Sequence, residues 1–231
     1  MSVDRNAVAA IAALDDDVRR ALYKHVRATG APVTRESAAD AVGISRKLAA
    51  FHLDKLVDLG LLTSGFSTAE KRRVGRAPRV YQPAATDISV QVPQRTPELL
   101  AGILVEAITA HRDGENGTTA AMRVARICGT TAGSLARSRT RAGRIGAERA
   151  TAVAEDVLTE HGFEPYRVDG VVRLRNCPFH PLAAQNPEFV CGLNREYLGG
   201  VLDGIGADGR IVAELAPRPG ECCVEIRPAG Q

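Results

Sequence analysis

The chain has 231 residues, 45% of them hydrophobic and 25% charged, a globular balance that excludes a disordered or collagen-like chain and leaves room for one large domain or two small ones. No apolar run approaches the roughly 18 residues of a membrane span. The start, MSVDRNAVAA, also lacks the basic and apolar regions of a signal peptide, so a cytoplasmic protein with no membrane partner is expected. The formal charge of +3 is unevenly shared: residues 1–83 hold 14 Lys/Arg against 9 Asp/Glu, and the remainder 16 against 18, which makes the first third the part suited to a polyanion.

In chain order, Val8, Ile11, Ala12, Leu14, Val18, Leu22 and Val26 recur at helical spacing and predict one helix over 6–29, stopped by Gly30 and Pro32. A short helix over 36–41, a turn at Gly43 and a longer helix over 45–58, ended by Gly60, complete a helix-turn-helix order. Ser45 suits the N-cap of the last helix. Arg46 and Lys47 then fall in its first turn, where side chains reach base edges and phosphates, while Leu48, Leu53, Leu56 and Leu59 are expected to anchor it from behind. The segment EKRRVGRAPR gathers Lys71, Arg72, Arg73, Arg76 and Arg79 ahead of the strand-like Val80-Tyr81, with Gly75 and Pro78 to turn the chain. By itself such a basic stretch reads as a solvated loop; following this helix, it reads as a β-hairpin wing against a phosphate backbone. His52 reads as a packing residue.

The proline-containing stretch TDISVQVPQRTP marks a boundary. Beyond it, the helix over 98–111 bears Leu99, Leu100, Ile103, Leu104, Ala107 and Ile108 on a broad apolar face, a candidate dimer seam. Helices over 118–137 and 147–161 follow, then strand-like runs over 163–168 and 171–176 joined by the hairpin signal Asp169-Gly170. A helix over 188–202 and strands over 211–215 and 222–226 close the chain. The expected architecture is α+β: a winged helix-turn-helix domain over 1–85, a linker and dimerisation helix over 86–112, and an α+β sensor domain over 113–231.

Five cysteines, an odd number with four in the last quarter, argue against a disulfide framework and for reduced thiols. Cys177 opens Cys177-Pro178-Phe179-His180-Pro181, Cys191 starts a helix, and Cys222-Cys223 begin the last predicted strand. No CxxC pair is present, so the spacing is not that of a zinc ribbon, and three separate elements each offer a thiolate for a metal or cluster. The plain alternative is that these cysteines are small buried hydrophobes, the natural reading of Cys128 in its alanine-rich helix. His180 is a candidate fourth ligand or the histidine of a Cys3His zinc site, and Glu188, Asn194 and Glu196 are other conceivable donors. An enzyme with Cys177 or Cys191 as nucleophile and His180 or His161 as base lacks any accompanying phosphate loop or hydrolase motif, so no enzymatic activity is expected.

Ser45, His52-Leu53, Leu56 and Gly60-Leu61-Leu62 give the N-terminal part a resemblance to winged-helix repressors of the ArsR type. With NCPFHPLA, FVCGLN and PGECCVEI downstream, the whole chain resembles the SufR family of iron-sulfur-cluster-binding repressors. The resemblance implies a homodimer on a palindromic double-stranded DNA operator. It further implies an iron-sulfur cluster, 4Fe-4S in preference to 2Fe-2S, held by Cys177, Cys191 and one of Cys222 and Cys223. Strand alternation favours Cys223, since Val224 and Ile226 would face the other way. Zinc or a small organic effector is the alternative ligand.

Overall fold

Three consecutive aspartates divide what the apolar period predicts as one helix: α1 runs Arg5–Ala13 and α2 runs Asp17–Thr29. The Asp16 side chain accepts a hydrogen bond from the Arg19 backbone N–H at 2.8 Å and caps α2, a task that a carboxylate performs better than it propagates a helix. The computed structural model describes residues 4–67, 77–140, 146–207 and 209–230, and the chain divides into two units, Ser2–Gln91 and Val92–Gln231. The first unit continues with a two-residue strand that the sequence pattern does not announce, β1 (Val33–Thr34), then α3 (Arg35–Val42), α4 (Arg46–Asp58), β2 (Leu62–Phe66) and β3 (Arg79–Pro83). Its antiparallel sheet has the order β1-β3-β2. Leu22 and Val26 of α2, Leu53 and Leu56 of α4, and Tyr81 of β3 meet in one core.

One expected anchor is corrected. Leu48 is 41% exposed, because the buried stripe of α4 runs through Ala49, His52, Leu53 and Leu56, and Leu48 stands one helical step around from it.

The second unit comprises α5 (Pro97–Thr109), α6 (Gly117–Arg139), α7 (Ala147–Glu160), β4 (Pro165–Val168), β5 (Val171–Leu174), the short α8 (Leu182–Gln185), α9 (Pro187–Ile205), β6 (Ile211–Leu215) and β7 (Val224–Pro228). Its sheet is antiparallel throughout, in the order β4-β5-β7-β6. Asp169 and Gly170 both take positive φ, 50° and 79°, as the tight β4-β5 turn requires. Helix α5, which the sequence places in a linker over 86–112, buries Leu100, Ile103 and Ala107 in the core of this unit. Val105 and Ile108 stay exposed on its other side. The last strand starts later than predicted. Cys222 and Cys223 precede it, held by bonds from the Cys222 N–H to the Leu174 carbonyl and from the Ala216 N–H to the Cys223 carbonyl, both 2.8 Å. Among the described residues, no helix is long and apolar enough to cross a membrane.

Helices α6 and α9 touch backbone to backbone. A Cβ at Gly129 or Gly133 would overlap the carbonyls of Tyr197 or Val201, and one at Gly200 or Gly204 those of Arg126 or Thr130. Gly133→Ala should therefore destabilise the second unit by at least about 1–3 kcal/mol, the usual cost of overpacking. Gly102→Ala, on an exposed position of α5 with open space where its Cβ would lie, should stabilise by up to about 1 kcal/mol through helix propensity alone. Denaturant melts of the two full-length variants followed by circular dichroism check the opposite signs.

Candidate nucleic-acid interface and thiol cavity

The turn between α3 and α4 is made at Gly43, whose φ of 72° is left-handed. Ser45 then caps α4, its hydroxyl accepting from the Leu48 N–H at 3.2 Å. The cap sets the helix phase: Arg46 and Lys47 fall in the first turn and are exposed, while His52 is buried on the inner side. The predicted wing residues Lys71, Arg72, Arg73 and Arg76 lie outside the described residues. The strands that would carry a wing, β2 and β3, are described, and Arg79 pairs with Phe66 where they leave the sheet.

An acidic residue that the sequence analysis passes over ties α4 to the sheet. Asp54 accepts from Arg35 at 2.8 Å and from the Tyr81 hydroxyl at 2.6 Å, and Arg79 lies 3.3 Å from it. Arg35 also donates to the Tyr81 hydroxyl at 2.7 Å. Burial, with the Asp54 carboxylate beside it, pushes the Tyr81 phenol above its ordinary value, so it stays a proton donor. A carboxylate on a DNA-reading helix is unfavourable near phosphates unless cations neutralise it, and that mismatch is the signal by which Asp54 could be found.

In the second unit, Cys177, Cys191, Cys223 and His180 line one cavity of about 390 Å³. The turn bearing Cys177 is fixed from behind. Asn176, buried, donates to the carbonyls of Gln94 at 2.7 Å and Gly162 at 2.6 Å, and Arg95 donates to the Asn176 side chain and, at 2.6 Å, to the Cys177 carbonyl. Cys191 is presented by the second turn of α9, and Cys223 by the bend before β7. Cys222 faces the core instead: it is buried, and its sulfur accepts from the Asn194 amide at 3.2 Å.

A hydrogen bond from the Cys222 thiol, helped by the backbone N–H groups of Phe179 and His180 and by the Arg95 charge, draws the Cys177 thiol down to about 7 against the opposing effect of burial. The same bond and burial push Cys222 up, so it remains a thiol. Cys191 and Cys223 form a disulfide, with Cα atoms 6.1 Å apart. This corrects the expectation that every thiol is free: residues 32 apart in sequence are brought within ordinary bridging range by the packing of α9 beside the last strand.

Of the other candidate donors, His180 is exposed and lines the cavity. Asn194 is fully buried and outside the lining, its amide N–H given to Cys222, Glu196 pairs with Arg126 and Arg195, and Glu188 lines a different cavity. Cys128 sits half-buried against the core with its thiol raised by burial. Arg95, Arg175 and Glu221, which no motif singles out, also line the thiol cavity. Arg175 stacks 4.2 Å over the Tyr166 ring, whose hydroxyl donates to Glu221. Arg175 and Glu221 adjoin the cysteine motifs, and that adjacency is the signal available for them. Among the described residues, no three His, Cys, Asp or Glu side chains are grouped as a site for a metal ion. The cavity holds one acidified thiol, a disulfide whose reduction would add two more, and two guanidiniums, a set that would fit a thiolate-bound group only in the reduced state.

Residues 14–65 match a protein family described as a helix-turn-helix domain. No curated protein matches the chain, and no solved structure matches it. The match covers α2, α3 and α4, so the N-terminal unit contains a helix-turn-helix domain of the kind found in DNA-binding transcriptional regulators, set in a chain of mixed helix and strand.

Tyr81→Phe removes one donor from Asp54 and leaves both arginines, and should cost about 1.5–3 kcal/mol, the worth of a hydrogen bond to a charged group; chemical denaturation of the full chain measures it. Non-reducing peptide mapping of protein purified in air should recover Cys191 linked to Cys223, with Cys128, Cys177 and Cys222 alkylated.

Proposed function

We propose that this chain is a homodimeric transcriptional repressor whose operator affinity is set by an iron-sulfur cluster, of the 4Fe-4S kind, and that it governs genes of cluster assembly or of the response to iron and redox stress. The observation that carries the reading is the meeting of Cys177, Cys191 and Cys223 at one cavity, from three separate elements, in a chain whose other unit holds a helix-turn-helix domain. Those three thiolates would hold the group, and His180 and Glu221 are the lining residues able to add a fourth donor. Bound there, the cluster supplies sensitivity to oxygen and to iron supply. Cys222 donates to the Cys177 sulfur, and Arg95 fixes the Cys177 backbone and lends positive charge. Cys191 and Cys223 must be reduced to the dithiol before either can ligate iron, because a disulfide sulfur is not a thiolate.

On the DNA side, Arg46 and Lys47 meet the operator from the first turn of α4, and the basic segment of Lys71, Arg72, Arg73 and Arg76 supplies phosphate contacts. Two copies related by a two-fold axis read a palindrome. The outward face of α5, with Val105 and with Ile108 77% exposed, supports self-association. The cluster can alter operator affinity only by as much as it binds the DNA-competent and DNA-incompetent arrangements differently, and operator DNA must alter cluster retention by the same factor.

Purification under strictly anaerobic, reducing conditions should give a coloured protein with iron and acid-labile sulfide in each chain. Colour, iron and sulfide should all be lost in Cys177→Ser and Cys191→Ser and kept in Cys128→Ser. Zinc alone, or a colourless metal-free protein with unchanged folding, overturns cluster sensing.

A further inference from the structure

We propose that Phe51 is a specificity-determining residue that reads thymine, its ring covering the 5-methyl group in the major groove. The inference rests on the DNA-binding reading and deepens it. Helix α4 has a buried side made of Ala49, His52, Leu53 and Leu56, and an outer side on which Lys47, Phe51 and Lys55 follow one another at four-residue intervals. Phe51 is 64% exposed. A large aromatic left in water in the middle of a helix contributes nothing to the core of this unit, whose contacts are made from the opposite side.

The ring stands edge-on to the His52 ring, with centroids 5.2 Å apart and planes at 73°. Its neighbours on the stripe are two lysines one turn away on either side, so whatever covers the ring is a surface that welcomes cations around an apolar spot. The major groove is such a surface. Its walls are phosphates, and the one apolar group on its base edges is the thymine methyl. Ser45 caps the helix and so sets the phase of this stripe; with the stripe turned into the groove, the ring would meet base edges, with a lysine one turn away on either side of it.

The test uses the full chain. A random duplex library is selected with the wild-type protein, and each thymine of the preferred duplex is then replaced in turn by deoxyuracil, which lacks only the methyl. Wild type should lose about fourfold in affinity at one or two positions, the worth of one buried methyl. Phe51→Ala, which removes an exposed side chain and should keep the wild-type circular dichroism spectrum, should bind the thymine and uracil duplexes equally; Phe51→Leu should keep part of the difference. Equal thymine-to-uracil ratios in wild type and Phe51→Ala overturn the assignment, as does unchanged DNA binding by Phe51→Ala, which would instead make the ring a protein contact. A wild type that binds DNA but selects no sequence overturns the assignment alone, whereas one that binds no DNA shows that the DNA-binding reading itself has failed and takes this inference with it.

Discussion

The backbone contact between α6 and α9 is the constraint on which the second unit rests. With glycine at 129, 133, 200 and 204, each helix presents carbonyls and amides where side chains would otherwise intervene. An interface of that kind has no adaptable layer. A slip of one residue along α9 would shift it by about 1.5 Å and rotate it by about 100°, putting Asp203 or Ile205 in the place of Gly204, where a Cβ meets the Thr130 carbonyl. The register of α9 is thereby fixed, and with it the places of Cys191, which faces the cavity, and Asn194, which reaches Cys222 in the core. The thiol cavity is a by-product of a helix pair that can dock in only one way.

The first unit solves a different problem by different means. The apolar packing of α4 is confined to a narrow stripe of small and medium residues, Ala49, His52, Leu53 and Leu56, and its other side is exposed. Such a stripe orients a helix loosely about its own axis. The polar cluster at Asp54 supplies the missing restraint, since the carboxylate is shared by Arg35 at the start of α3 and by Tyr81 and Arg79 on β3. These bonds are directional where hydrophobic contact is not, and they cross-link three elements at one point. The cluster also sets two guanidiniums against the one carboxylate on this part of α4.

What the sequence makes legible is what local chemistry decides. The Ser45 cap, the Gly43 turn, the Asp169-Gly170 hairpin and the α7 and β6 boundaries follow from backbone preferences of a few adjacent residues, and they are found within a residue or two of their predicted positions. The break between α1 and α2 is equally local, but the apolar period runs through it and conceals the Asp16 cap. Leu48 is misjudged because a leucine at helical spacing counts as buried until the phase of the helix is known. The strand β1, the burial of α5 in its own unit, the glycine contact and the Cys191–Cys223 pairing all depend on partners far away in the chain, which no local pattern encodes.

The cysteine doublet shows how these two kinds of information combine. Alternation in a strand predicts that Cys222 and Cys223 face opposite ways, but neither residue lies in the strand. They diverge all the same, because the Cys222 N–H and the Cys223 carbonyl are bonded to chain segments on either side of the bend. The two thiols are consequently different groups. Cys222, buried, keeps its proton and lends it to Cys177; Cys223 faces the cavity beside Cys191. For the cavity sulfurs, a disulfide and a thiolate ligand are mutually exclusive states of the same atoms. Closing Cys191 onto Cys223 withdraws two cavity thiols in a single step and leaves Cys177 alone with its hydrogen bond, so the thiol content of this cavity changes by two or not at all.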